Sequence, residues 1–168
     1  MTREIPLTQG HVAIVDDVDY ELVEPYKWRI QTVSGRRTGG YARSHKKVGD
    51  RYATVLMHRL ILDAPKGLQV DHANGDGLDN RRCNLRLATR EQQGYNRALG
   101  SNNTSGYKGV SWFKRQGKWH AGLVYKGESI HLGYHDTPED AANAYDEAAR
   151  RYYGKFACTN FPEVPCTG

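Results

Sequence analysis

One run of this chain repeats with the period of an α-helix and carries its own start and stop signals, and it limits what can surround it. Between Thr137 and Gly154, Ala141, Ala144, Tyr145, Ala148, Ala149 and Tyr152 recur at i, i+3, i+4 spacing. Thr137 suits a cap, Pro138 the first helical position, Glu139 and Asp140 the positive end of the dipole, and Gly154 the exit. A face made mostly of alanine gains burial only by close approach to a flat neighbour. The text before it supplies one: YKGVSWFKR (107–115), KWHAGLVYK (118–126) and ESIHLGYH (128–135) read as strands joined by turns at Gly117 and Gly127. The expectation is an α+β unit, a three-stranded antiparallel sheet packed on one helix.

The remaining text is organised differently. HVAIVD (11–16), YKWRIQTV (26–33), GYARSH (40–45) and YATVLMHRLIL (52–62) are short β-rich runs broken by Gly, Asp and Pro, an N-terminal β region. A polar, Gly-rich stretch from Asp63 to Asn80 leads to NLRLAT (84–89), a strand running into a short helix with REQQGYNRAL as its body. Thr89 and Gln92 have capping-box spacing for that helix. LGSNNTSG (99–106) reads as a linker, so the division expected is a first domain over 1–98 and a second over 107–163.

Charge follows the same division. From Arg81 to Lys126 ten Lys or Arg face one acid, Glu91, whereas from Gly127 onward three bases face seven acids. The basic stretch is interleaved with Tyr107, Trp112, Phe113, Trp119 and Tyr125, which suits a surface meeting phosphates and the flat faces of nucleic acid. The bases concentrate in the strands and the acids around the helix, as a sheet entering the major groove needs. Arg36, Arg37, Arg43, Lys46, Lys47 and Arg51 suggest a second phosphate-contacting surface. No apolar run approaches the roughly 20 residues of a membrane helix, and MTREIPLTQG lacks a secretory segment, so a cytoplasmic protein with no membrane partner is expected. Cys83, Cys158 and Cys166 are too scattered for a disulfide framework or a structural zinc.

The chemistry-bearing signal is Asp71-His72, with Asn84 twelve residues after the histidine and Gln93 and Asn96 on the short helix. A carboxylate is a hard ligand for a divalent cation, and a neighbouring imidazole titrating near neutrality takes a proton from water once its tautomer is fixed. An amide such as Asn84 is chemically suited to fixing it. DHANGDGLDN also looks like a calcium loop, but Ala73 stands where an EF-hand needs its second oxygen ligand.

HRLIL followed by VDHANGDGLDNRRCNLRLATREQQGYNR closely resembles the His-Asn-His (HNH) endonucleases of phage and intron-encoded homing type, across about 58–97. YKGV, GKWHAGL, HLGYHDTPEDAANAYDEAARRYYG and NFP resemble the AP2 DNA-binding domain. The first resemblance implies a ββα-metal nuclease using one divalent cation, Mg2+ or Mn2+, with His72 as general base, Asn84 orienting it, and Asp71 as metal ligand. Gln93 stands where that family carries Asn or His as second ligand, with Asn96 as the alternative. His58 matches a recurrent histidine of structural or catalytic role. The second implies a sheet that reads double-stranded DNA; this chain departs from the plant pattern on that sheet, and its own expected contacts are Lys108, Lys114, Arg115, Lys118, Tyr125 and His131, with Trp119, Leu123 and Leu132 as core. Together they imply a monomeric, homing-type endonuclease that nicks DNA in the cytoplasm, that of the bacterial host if the gene belongs to a phage. The rival is a lapsed nuclease fold acting as a DNA-binding regulator.

Overall fold

The computed structural model describes residues 1–32, 40–96, 99–100 and 102–161 and divides into two compact units, Met1–Thr89 and Arg90–Gly168. Both are mixed α+β with antiparallel sheets.

In the first unit, β1 (Thr2–Pro6) and β2 (Val12–Asp16) form a hairpin, in which alternation along β2 buries Ala13 and Val15 and β1 adds Ile5. After α1 (Tyr20–Val23), β3 (Arg29–Gln31), β4 (Tyr41–Val48) and β5 (Arg51–Leu56) make a three-stranded sheet in that order. Its β4–β5 tip is exposed and carries Lys46, Lys47 and Arg51; Arg36 and Arg37 lie outside the described residues. The run expected to continue as strand to residue 62 turns helical instead, as α2 (Met57–Ile61). Met57, His58 and Ile61 are all buried, and the adjacent pair Met57 and His58 turning inward together is what the alternation of a one-faced strand would not allow. Arg59 holds the exit, donating to the carbonyls of Ala64, Pro65 and Leu68. Then β6 (Gln69–His72) and β7 (Leu85–Ala88) pair antiparallel, and their Val70 and Leu85 join the core of Val15, Val23, Trp28 and Met57.

The second unit opens with α3 (Arg90–Tyr95), shorter than expected; positions 97 and 98 lie outside the described residues. The first domain was expected to run to 98, yet the division falls after Thr89. The cause is Tyr95, whose ring stacks on Tyr153 at 4.0 Å and 10° and joins the second core. Strands β8 (Val110–Phe113), β9 (Lys118–Tyr125) and β10 (Glu128–His135) form a sheet with β9 central, and α4 (Pro138–Tyr153) packs across it. Thr137 caps α4 by accepting from the Asp140 amide, and Gly154 ends it with φ 54°. The alanines do bring helix and sheet close: a Cβ on Gly109 would lie 2.0 Å from the Tyr145 ring. Leu123 is core, and Trp119 and Leu132 pack half-buried against it.

Candidate active site and nucleic-acid interface

Asp71 and His72 end β6, and both are buried, at 6% and 3% exposure. As strand neighbours they keep different company. Asp71 lies opposite Arg86 in the register, and its Oδ2 accepts from Arg86 Nε at 2.8 Å and pairs with Nη2 at 2.6 Å. The His72 ring lies 5.1 Å from that of His58 and 5.7 Å from that of Tyr41, while Tyr41 and His58 are themselves 4.9 Å apart. His58, which the sequence left between roles, therefore stands on α2 against the candidate base.

The loop from Ala73 to Asn84 is braced from within. Asn84 Oδ1 accepts from the Asn74 amide at 2.9 Å, Asn84 Nδ2 donates to the Asp79 carbonyl at 2.7 Å, and the Ala73 amide donates to the Asn84 carbonyl. Asp79 takes Arg81 on both oxygens and Asn74 on one. Those bonds, Arg81's first, hold its carboxyl below the usual range, and the same pair raises Arg81. The calcium reading fails here, since Asp79 is committed to Arg81 and Asp76 Oδ1 accepts from the Leu78 amide.

Asn84 thus clamps the backbone just after His72, and the amide facing the imidazole belongs to Asn80. Asn80 Oδ1 is 3.4 Å from His72 Nε2, and its Nδ2 donates to the Leu78 carbonyl, which turns the oxygen toward the ring. Asn80 is fully buried because β2 grips its backbone: its amide donates to the Ile14 carbonyl at 2.7 Å, and Ile14 donates to Leu78 at 2.9 Å. Arg82 ties the loop to the N-terminal region through both oxygens of Asp19 and through Asp16. That region offered no catalytic residue in sequence; it is the frame of the site. LDNRR was the signal for Asn80 and Arg82, but nothing local links them to Ile14 or Asp19.

Among the described residues no three of His, Cys, Asp and Glu gather as a metal cluster. Asp71, which meets Arg86 through Oδ2 where Asp79 gives Arg81 both oxygens, is the donor type that a small hard cation takes when it keeps much of its water and completes its shell with phosphate oxygens. Gln93 and Asn96 belong to α3 and the turn after it, in the second unit.

In the second unit the sheet face away from α4 presents Ser111, Phe113, Lys118, His120, Gly122, Val124, Ser129, His131 and Tyr134 by strand alternation. Lys114 and Arg115 are exposed in the β8–β9 turn. Lys118 is on this face and pairs with Asp136 at 3.1 Å. Two expected contacts are corrected. Lys108 donates its Nζ to the Tyr95 carbonyl at 2.7 Å, and burial lowers its pKa, so the ammonium is used inside the unit. Tyr125 is on the helix side, 5.3 Å from Tyr152 and 6.1 Å from Tyr95, in the core cluster. His131 is exposed on the outer face, hydrogen-bonded to His120, which sequence reasoning passed over. The period-2 pattern at His120, Gly122 and Val124 was the available signal.

The HNH endonuclease family matches residues 63–95, and the AP2 domain family matches residues 105–155. Protein 3.8 of Escherichia phage T7 is 34% identical over 93 residues, covering 55% of this chain and 76% of that protein. An uncharacterised HNH endonuclease of Acanthamoeba polyphaga mimivirus is 29% identical over 154 residues, 90% of this chain and 76% of that one. An ethylene-responsive transcription factor of Arabidopsis thaliana is 39% identical over 74 residues, 43% of this chain but 16% of the plant protein. No solved structure gives a significant match.

Proposed function

The chain belongs to the HNH endonucleases and carries an AP2 DNA-binding domain, and from that premise we propose that it nicks double-stranded DNA as a monomer, with His72 as general base. The observation that carries this is the buried Asp71-His72 pair at the mouth of a loop braced on all sides. Asp71 would hold one divalent cation, Mg2+ or Mn2+, with Gln93 as second ligand or Asn96 in its place. When bound, such a cation neutralises charge on the phosphate and on the leaving oxygen. His72 does the proton work. The Asn80 oxygen opposite Nε2 favours the tautomer with its proton there, leaving Nδ1 to accept a proton from the attacking water. Asn84 and Arg82 keep the loop from yielding as the phosphate approaches, and the exposed sheet face of the second unit holds the duplex.

The test is nicking of supercoiled plasmid in Mg2+. His72→Ala loses cleavage by about a hundredfold or more while duplex affinity changes less than a few-fold, because the base acts only in the chemical step. Cleavage undiminished in this variant removes His72 from the mechanism. In the same assay Gln93→Ala loses activity that excess Mn2+ partly restores, whereas Asn96→Ala remains active in Mg2+; the reverse pattern gives the ligand role to Asn96.

A further inference from the structure

The outer face of the AP2 sheet carries a feature that the nuclease reading does not use. Across β9 and β10 the imidazole planes of His120 and His131 lie nearly parallel, 13° apart, with His120 Nε2 2.9 Å from His131 Nδ1. Gly122 makes this possible. It sits opposite His131 in the register, and a Cβ there would come within 2.9 Å of His120 Cε1, so the His120 ring occupies the space a side chain would fill. Tyr134 flanks both rings, at 4.8 Å from His131 and 5.6 Å from His120. Charged groups near this face include Lys118 on β9 with its partner Asp136, and Lys114 and Arg115 in the β8–β9 turn, while β8 contributes the uncharged Ser111 and Phe113.

The hydrogen bond couples the two tautomers. One proton lies between the rings, so in the neutral pair whichever ring donates inward leaves its own outer nitrogen bare and requires a proton on the other's. His120 Nδ1 and His131 Nε2 together then offer one donor and one acceptor. A single added proton preserves the inner bond and converts both outer nitrogens to donors carrying one positive charge. A second proton would break the inner bond and set two charges side by side, so the pair is built for one.

We propose that His120 and His131 act as one proton-accepting unit, binding duplex DNA as a singly charged pair of donors aimed at two hydrogen-bond acceptors. The inference rests on the reading of this sheet face as the DNA-binding surface. Its acceptors are guanine major-groove edges or phosphate oxygens, both of which offer acceptors without donors. In the free protein burial, then the neighbouring imidazole, lowers the pKa of His120, and acceptors brought by duplex oppose that shift by favouring the protonated pair. Raising the pKa in the complex has a fixed sign. The affinity gain is complete below the free protein's value and is lost as pH rises through the value in the complex.

The experiment uses the full chain in EDTA, so that DNA is bound and not cut. Two short duplexes, one of G·C pairs and one of A·T pairs, are titrated from about pH 5.5 to 8.5 at fixed ionic strength, with imidazole signals followed by NMR. Affinity is expected to fall by up to about tenfold per pH unit within the window, with both imidazole titrations moved upward by duplex. His131→Ala flattens the dependence, and His131→Arg, which keeps a permanent charge, binds at high pH without it. A dependence confined to the G·C duplex assigns the acceptors to guanine, and one shared by both assigns them to phosphate. A dependence that survives His131→Ala, or imidazole titrations unmoved by duplex, overturns the inference alone. No binding of either duplex at any pH overturns the reading of the sheet as the DNA surface, and the inference with it.

Discussion

Asn84 spends both ends of its amide inside the loop, one on the Asn74 amide and one on the Asp79 carbonyl. Asn84→Ala strands the buried Asp79 carbonyl and leaves the part-buried Asn74 amide to water, at about 1–3 kcal/mol together. Asn84→Asp keeps the acceptor but turns a carboxylate toward the Asp79 carbonyl, so it rescues little. Melting temperature and plasmid nicking should therefore fall together in both variants. Loss of cleavage without loss of stability in Asn84→Ala would return to Asn84 a direct part in the chemistry. The residue types of this site were legible in sequence, because a carboxylate, an imidazole and amides within fifteen residues have a limited range of uses. Which amide meets the imidazole was not, because Asn80 is placed by Ile14, far away in the chain. The same applies to Lys108, whose ammonium looks like a phosphate contact until the chain brings Tyr95 to it.

Among the elements, α4 was the most legible, since its cap, first-turn acids, apolar stripe and terminal glycine are local signals that agree. By contrast β1 has one inward residue, Ile5, and offered no alternation to read. The helix α2 was hidden in a β-rich run, because the four-residue spacing of Met57 and Ile61 fits one face of a strand as well as one face of a helix. Gly109 joins the levels. It sits at φ +72°, and a Cβ would meet the Tyr145 ring at 2.0 Å and the Gly122 carbonyl at 2.7 Å. Gly109→Ala adds overpacking at the α4–sheet contact to backbone strain, about 2–5 kcal/mol in all. Gly127 has a similar φ of +84° with open space around it, so Gly127→Ala incurs the strain alone, about 1–2 kcal/mol. Thermal unfolding of the two variants separates the terms, and equal losses would mean that the close approach of α4 to the sheet contributes nothing.

At the scale of the whole chain, the boundary between the units decides what can be cut away. The linker of small and polar residues at 99–106 suggests a fragment starting at 101, but Tyr95 lies upstream of it, stacked on Tyr153 and accepting from Lys108. A fragment from 101 leaves the half-buried Lys108 ammonium without that carbonyl and exposes the Tyr153 face. An aromatic pair is worth about 1 kcal/mol beyond its area and a hydrogen bond to a charged group about 1.5–3. Residues 90–168 should therefore melt above residues 101–168 by roughly 10 °C or more, at about 4–8 °C per kcal/mol for a domain of this size. Both fragments should bind duplex DNA, with a salt dependence smaller than a count of bases suggests. Of the sheet's five, Lys108 is used internally and Lys118 is paired with Asp136, leaving Lys114, Arg115 and Lys126. Three phosphate contacts give a log–log slope of about −3, where five would give about −4 to −5. The steeper slope would show that Lys108 and Lys118 leave their partners for phosphate. A fragment from 90 that melts no higher than the one from 101 would place α3 outside the forces that hold the second unit together.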